Sequence, residues 1–236
     1  MSFIKTFSPL IVIAFAFVIA SCTINEDPGP IQYNEQPFAV TDFDRLDIGD
    51  AMYVTVTHSS LYSVQARGDR RNLDDLEVSK VGNTLVARFS KNRNRKHTTY
   101  INITMPELVS ANFYGATTSA ISGFETESFS MNLSGASVSQ LDIVANESSF
   151  ILSGASNLSL SGASVKVSVN ISGASLYKAY NLEAEDVDVN ASGASHGYVR
   201  ASNTLVAEAS GASSILYRGN ATVSSSVSGA STIMKD

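Results

Sequence analysis

Residues 130–156 read SMNLSGASVSQLDIVANESSFILSGAS. Within this stretch Ser-Gly-Ala-Ser occurs twice, at Ser134–Ser137 and Ser153–Ser156. Each copy follows an alternating apolar segment: Met131 and Leu133 before the first, Phe150 and Leu152 before the second. Alternation with a period of two is the pattern of a half-buried β-strand. A glycine placed just after such a strand marks a corner that needs a positive φ or a close backbone approach.

Working outward, the motif glycine recurs at Gly115, Gly135, Gly154, Gly173, Gly193, Gly211 and Gly229, with spacings of 20, 19, 19, 20, 18 and 18 residues. A further copy, Ser161–Ser164, falls inside the third interval. A near-constant short period identifies a solenoid, propeller or array, and about 19 residues is too few for a four-stranded propeller blade. Two residues before each glycine stand Phe113, Leu133, Leu152, Ile171, Ala191, Ala209 and Val227. The positions four and six before are also mostly apolar. The spacing therefore predicts coils of two or three short strands whose parallel rungs stack about 4.8 Å apart. The fold class expected is all-β, a parallel β-helix spanning 111–236.

Three positions before the glycine, Asn112, Asn132, Asn170 and Asn190 fall in the outward column and are candidate binding residues. The motif serines are expected to stack into hydroxyl ladders, since a hydroxyl both donates and accepts. A catalytic serine would need a base beside it. His196 follows Ser195, but neighbours on a strand point to opposite faces. Asp186 and Asp188 alternate with Val187 and Val189, so both carboxylates project outward, as in glycoside hydrolysis or cation binding. They occur in a single repeat, which favours a solvated face. No cofactor or metal is expected.

Residues 38–110 are strand-like without the motif: Met52, Val54 and Val56 alternate, as do Val64 and Ala66, Leu85 and Ala87, and Ile101 and Ile103. Asn72 to Val78 reads as a turn or short strand. This region is expected to form irregular β coils or a head that covers the first coil, because a solenoid must hide its open ends. Ten of the sixteen Lys and Arg lie between Arg45 and Lys96, whereas five basic and ten acidic residues follow Thr117. The densest run, Lys91 to His97, makes Arg93, Arg95 and Lys96 candidates for contact with anionic glycans, against the simpler reading of a solvated hairpin tip. The net charge of −6 excludes general nucleic-acid binding.

The first 22 residues carry Lys5, an apolar run from Leu10 to Ala20, and Ala20-Ser21 before Cys22, the cysteine the sequence uses once. This is the layout of a secretory signal peptide. Ile19-Ala20-Ser21-Cys22 resembles a bacterial lipobox, which implies acylation of Cys22 and a membrane partner through that anchor. Residues 23–37, with three of the five prolines, read as a flexible tether. Thr23 after the cysteine and Glu26-Asp27 in the tether point to the outer membrane and to surface display.

The repeated Leu-Ser-Gly-Ala-Ser, together with Gly82-Asn83-Thr84-Leu85 and Ile103-Thr104-Met105-Pro106-Glu107-Leu108, resembles the family known as "putative auto-transporter adhesin" with a "head GIN" domain, found in Bacteroidetes lipoproteins. The resemblance covers residues 38 to 234. It implies a right-handed parallel β-helix shaped like a pectate lyase but without catalytic residues. The function expected is a non-enzymatic cell-envelope module binding carbohydrate or a surface protein. The competing readings are a polysaccharide lyase or hydrolase using Asp186 and Asp188, and a structural protein that self-associates into homo-oligomers.

Overall fold

The computed structural model describes residues 29–236. Strand makes up 65% and helix 2%, arranged as a β-solenoid of about seven turns. The N-terminal region contributes β1 (Tyr33–Phe38), β2 (Arg45–Ile48), β3 (Met52–His58), β4 (Ser63–Asp69), the short helix α1 (Arg70–Leu73), β5 (Leu76–Val81), β6 (Thr84–Phe89) and β7 (Thr99–Met105). The repeats contribute β8 (Ser110–Phe113) and the long strands β9 (Thr118–Leu133), β10 (Val138–Leu152), β11 (Asn157–Ile171) and β12 (Leu176–Ala191). Shorter rungs follow: β13 (His196–Arg200), β14 (Thr204–Ala209), β15 (Ser214–Arg218), β16 (Thr222–Val227) and β17 (Thr232–Lys235).

The rungs stack in the register of the motif. β10 and β11 pair in parallel from Val138↔Asn157 to Leu152↔Ile171, each residue opposite its equivalent one coil on. The predicted inner columns are buried: Phe129, Met131 and Leu133, Phe150 and Leu152, Val167, Val169 and Ile171, Val187, Val189 and Ala191. Fully burying each large apolar side chain stabilises by roughly 1.5–3 kcal/mol. Rings join the stack along the axis, Phe129 to Phe150 at 6.3 Å and Phe150 to Tyr177 at 5.8 Å between centroids.

The corner requires glycine for both anticipated reasons. The seven motif glycines have φ between +72° and +77°. A Cβ on Gly135, Gly154 or Gly173 would lie 2.4 Å from the carbonyl oxygen of the glycine one coil earlier. Those oxygens accept the next alanine N–H at 2.7 Å, as in Ala136 to Gly115 and Ala155 to Gly135. The serines depart from the expected ladders. The second motif serine turns inward, and Ser137, Ser156, Ser195 and Ser213 each donate to the carbonyl three residues back at 2.8–2.9 Å. Hydroxyls thus satisfy their own turn. Motif serines also link rungs: the Ser175 hydroxyl accepts the Ser156 N–H at 3.3 Å, and Ser213 donates to the Ser231 hydroxyl at 3.5 Å.

The N-terminal part belongs to the same sheet, but its rungs are out of chain order. β2 pairs in parallel with β8 on one side and β6 on the other. β3 likewise lies between β9 and β7. The chain lays down its 45–58 rung, builds the 84–105 rung outside it, then returns to start the repeats at Ser110. Antiparallel strands close this end: β5 on β6, β4 on β7 and β1 on β4.

One local expectation is corrected. Residues 33–37, read as tether, form most of β1, which pairs from Tyr33↔Asp69 to Phe38↔Val64. The strand is dictated by its partner β4, and Pro37, with no N–H, is tolerated at a sheet edge. Asn72 to Val78, read as a turn or short strand, begins in the helical turn Arg70–Leu73, whose N-cap Asp69 accepts the Arg71 N–H, and then passes through a turn into β5. At the opposite end all six residues of β16 are exposed, Val227 at 49% and Met234 in β17 at 54%.

Candidate binding face

The strand that enters each corner presents its alternate residues to solvent in aligned columns. Pairing places Asp47, Asn112, Asn132, Ile151, Asn170, Asn190 and Glu208 in one of them. The asparagine column read from the sequence therefore exists as two adjacent pairs, Asn112–Asn132 and Asn170–Asn190, separated by the exposed Ile151. Asn112 is half-buried and donates to Asp47 at 3.2 Å, and Asn190 donates to Glu208 at 3.3 Å. Asn132 and Asn170 face solvent.

Beside this column runs a shallow groove of about 400 Å³ across five coils, lined by Ser130, Ser149, Lys166, Asp186, Asp188 and Thr204 among others. These residues stand five and seven positions before the glycines, an outward set the sequence reading left out apart from Asp186 and Asp188. Extending the column alignment further upstream would have found Glu147, Lys166 and Thr204. Lys166 meets Glu147 at 3.4 Å across one rung. Asp186 accepts from the Thr204 hydroxyl at 2.6 Å and the Asn203 amide at 2.7 Å, and these bonds hold its carboxyl below the usual range. Its chemistry here is hydrogen-bond acceptance. Among the described residues no group of His, Cys, Asp and Glu is placed to hold a metal ion. At its N-terminal end the groove shares Ser128 and Ser130 with a wider recess of about 820 Å³, where Asp44, Glu107, Glu125 and Glu127 gather.

The basic run is not a free cationic surface. Lys91, Arg93 and Arg95 converge on the buried carboxylate of Asp75 at 3.2, 2.5 and 3.3 Å. Arg93 also donates to the Arg71 carbonyl, and Arg95 stacks 3.6 Å over the Phe89 ring. A buried carboxylate without partners is costly, so the arginines fold back to it. Arg93 and Arg95 thus clasp the loop to the cap, a structural role the sequence reading did not assign them. Lys96 is exposed on the same loop. Ser195 is buried while His196 is exposed, so they do not face each other. Cys22 lies outside the described residues.

The solenoid and its capped end are shared with solved structures. A "putative adhesin" from Bacteroides fragilis is similar at a TM-score of 0.78 and 24% identity, covering 87% of this chain and 97% of that one. A "putative adhesin" from Parabacteroides distasonis gives a TM-score of 0.74 at 14% identity, covering 88% and 98%. A "putative lipid binding protein" from the same species gives 0.71 at 19%, covering 86% and 96%. At these identities the likeness establishes the fold. No curated protein matches the chain in sequence. Among the described residues no helix is long and apolar enough to cross a membrane. The sequence model of one family matches residues 42–221, from the loop before β2 to the turn before β16. On that match the chain belongs to the family described as "putative auto-transporter adhesin, head GIN domain".

Proposed function

We propose that this chain is a non-enzymatic, adhesin-type lipoprotein of the cell envelope. It is anchored in the outer membrane by acylation of Cys22, displayed at the surface, and binds carbohydrate or a surface protein along the groove. The observation that carries the reading is the groove itself: five successive coils offer hydroxyls, an ammonium and carboxylates on a continuous sheet. Polar groups fixed on regular strands suit a repetitive ligand, because neither partner must be reordered to bind. The family description supports adhesion, and the lipobox at 19–22 supports the anchor.

Protease treatment of intact cells carrying the tagged chain tests the placement. Cleavage of the wild type, with release of Cys22→Ala from the membrane fraction, is the expected result. Protection on intact cells would overturn surface display. Release of reducing ends or unsaturated sugars by the purified chain, lost in Asp186→Asn, would overturn the non-enzymatic reading.

A second reading, self-association, is favoured by the exposed strand β16. It carries no charge or proline and, among the described residues, pairs on one side only, which is the kind of edge that templates another strand. Sedimentation over a concentration range, repeated with Val227→Lys, tests it. A concentration-dependent dimer lost in the variant is expected.

A further inference from the structure

A second site lies on a different face, where the coil length changes. The coil from Gly173 to Gly193 has 20 residues and the next, to Gly211, has 18. The extra residue enters β12 as a bulge: Ser159 pairs with Lys178 and Ser161 with Asn181, so Ala179 and Tyr180 together oppose Leu160. Bulges re-aim side chains and recur beside functional sites. The following rung is interrupted between Arg200 and Thr204. A long coil beside a short one leaves a recess of about 400 Å³, lined by Ser159, Lys178, Tyr180, Asn181, Tyr198 and Arg218.

The recess is organised. Tyr180 and Tyr198 meet edge to face at 5.5 Å, with ring planes 86° apart. Arg218 lies 4.0 Å over the Tyr180 ring and is held there by Asp236 at 2.5 Å. Lys178 is exposed beside Tyr198 on the neighbouring rung. Three of the five basic residues after Thr117, namely Lys178, Arg200 and Arg218, gather on these rungs, in a region otherwise acidic. Arg200 and Arg218 stand directly opposite each other, and each has an acidic partner, Glu183 at 3.8 Å and Asp236 at 2.5 Å. Lys178 is the cation of the recess that faces a ligand.

We propose that this recess binds a carboxylate-bearing sugar residue. The aliphatic face of the pyranose packs on Tyr198, the carboxylate meets Lys178, and the Asn181 amide and Ser159 hydroxyl take ring hydroxyls. A tyrosine offers apolar area with little entropy to lose. Arg218, paired with Asp236, holds the Tyr180 ring in place at the edge of the recess. The site is separate from the groove of the preceding subsection and stands or falls independently of it.

The test is calorimetric titration of the full-length lipoprotein in detergent with tetragalacturonate, and with neutral galactotetraose for comparison. The wild type is expected to bind the acidic oligosaccharide at least about tenfold more tightly than the neutral one. Tyr198→Ala and Lys178→Gln are each expected to weaken binding by about tenfold or more. Tyr198→Phe retains binding, since the platform survives and a folded recess is assured. Lys80→Gln, exposed on β5 at the capped end, leaves it unchanged. No binding by the wild type, equal affinity for the neutral sugar, wild-type affinity in Tyr198→Ala and Lys178→Gln, or loss in Lys80→Gln would each overturn the proposal.

Discussion

The carbonyl oxygen of Gly135 sits 2.4 Å from the point where a Cβ on Gly154 would lie, and it accepts the Ala155 N–H at 2.7 Å. One atom therefore both excludes a side chain and supplies the corner hydrogen bond. A left-handed conformation costs an ordinary residue roughly 1–2 kcal/mol, and displacing the carbonyl weakens a bond worth about 1 kcal/mol. Gly154→Ala is expected to destabilise by about 3 kcal/mol or more in equilibrium urea denaturation. Gly82→Ala is the comparison: Gly82 has φ +60° but open space around it, so only the conformational cost of about 1 kcal/mol applies. Equal losses at the two sites would show that the stacked carbonyl is not what restricts the motif.

Tyr177 is fully buried, and its hydroxyl has no hydrogen-bond partner among the described residues. Burial pushes that hydroxyl's pKa well above its usual value. Its ring packs on Phe150, a contact phenylalanine would keep. Tyr177→Phe removes a desolvated group worth roughly 1–3 kcal/mol and is expected to raise Tm by about 2–4 °C per kcal/mol. A lower Tm in the variant, by calorimetry, contradicts this.

Acid should loosen the N-terminal cap before the repeats. Burial acts to raise the pKa of Asp75, but the hydrogen bonds and charges of Arg93 and Lys91 outweigh it and leave the carboxyl below its usual value. Asp69, bonded by Arg71, is lowered further. A carboxylate whose folded pKa is depressed adds stability that is fully present above the unfolded value of about 3.9 and is lost as pH falls through the folded value. Hydrogen exchange at about pH 3 is expected to show opening of β4, β5 and α1 while β10 to β12 stay protected. Asp75→Asn is expected to produce the same opening near neutral pH.

Ser195 donates to the Ser192 carbonyl at 2.8 Å from a buried position. Ser195→Ala is expected to cost about 1 kcal/mol of stability and to leave cell adhesion unchanged. Loss of adhesion in a folded Ser195→Ala variant would return the motif to the functional surface.

What was legible in the sequence follows from periodicity. The positions two, four and six before the glycines from Gly135 to Gly211, such as Phe129, Met131 and Leu133, are buried as their alternation requires, whereas those before Gly229 are exposed. The glycine's isolation after each strand announced the corner. Contacts without a repeat were not legible. Nothing in Arg45–Ile48 signals that it pairs with both Thr84–Ala87 and Ser110–Phe113, because parallel pairing between distant segments leaves no local mark. The cation run 91–97 gave no hint that Asp75 neutralises it, since the two meet only in the fold. Tyr180 was half legible: the spacing of 20 before Gly193 recorded an extra residue, but only the pairing register places it in a bulge. Tyr33–Phe38 lacks alternation because, as an edge strand, its residues are mostly exposed.

The central claim is that the motif builds the solenoid and that the outward columns bind. Adhesion of cells displaying the chain tests it most directly, comparing wild type with the double variant Ser149→Arg/Ser168→Arg, which fills the groove without touching a corner. With both proteins equally folded by circular dichroism and equally abundant at the surface, the account predicts loss of most adhesion in the variant. Adhesion at the wild-type level would contradict it.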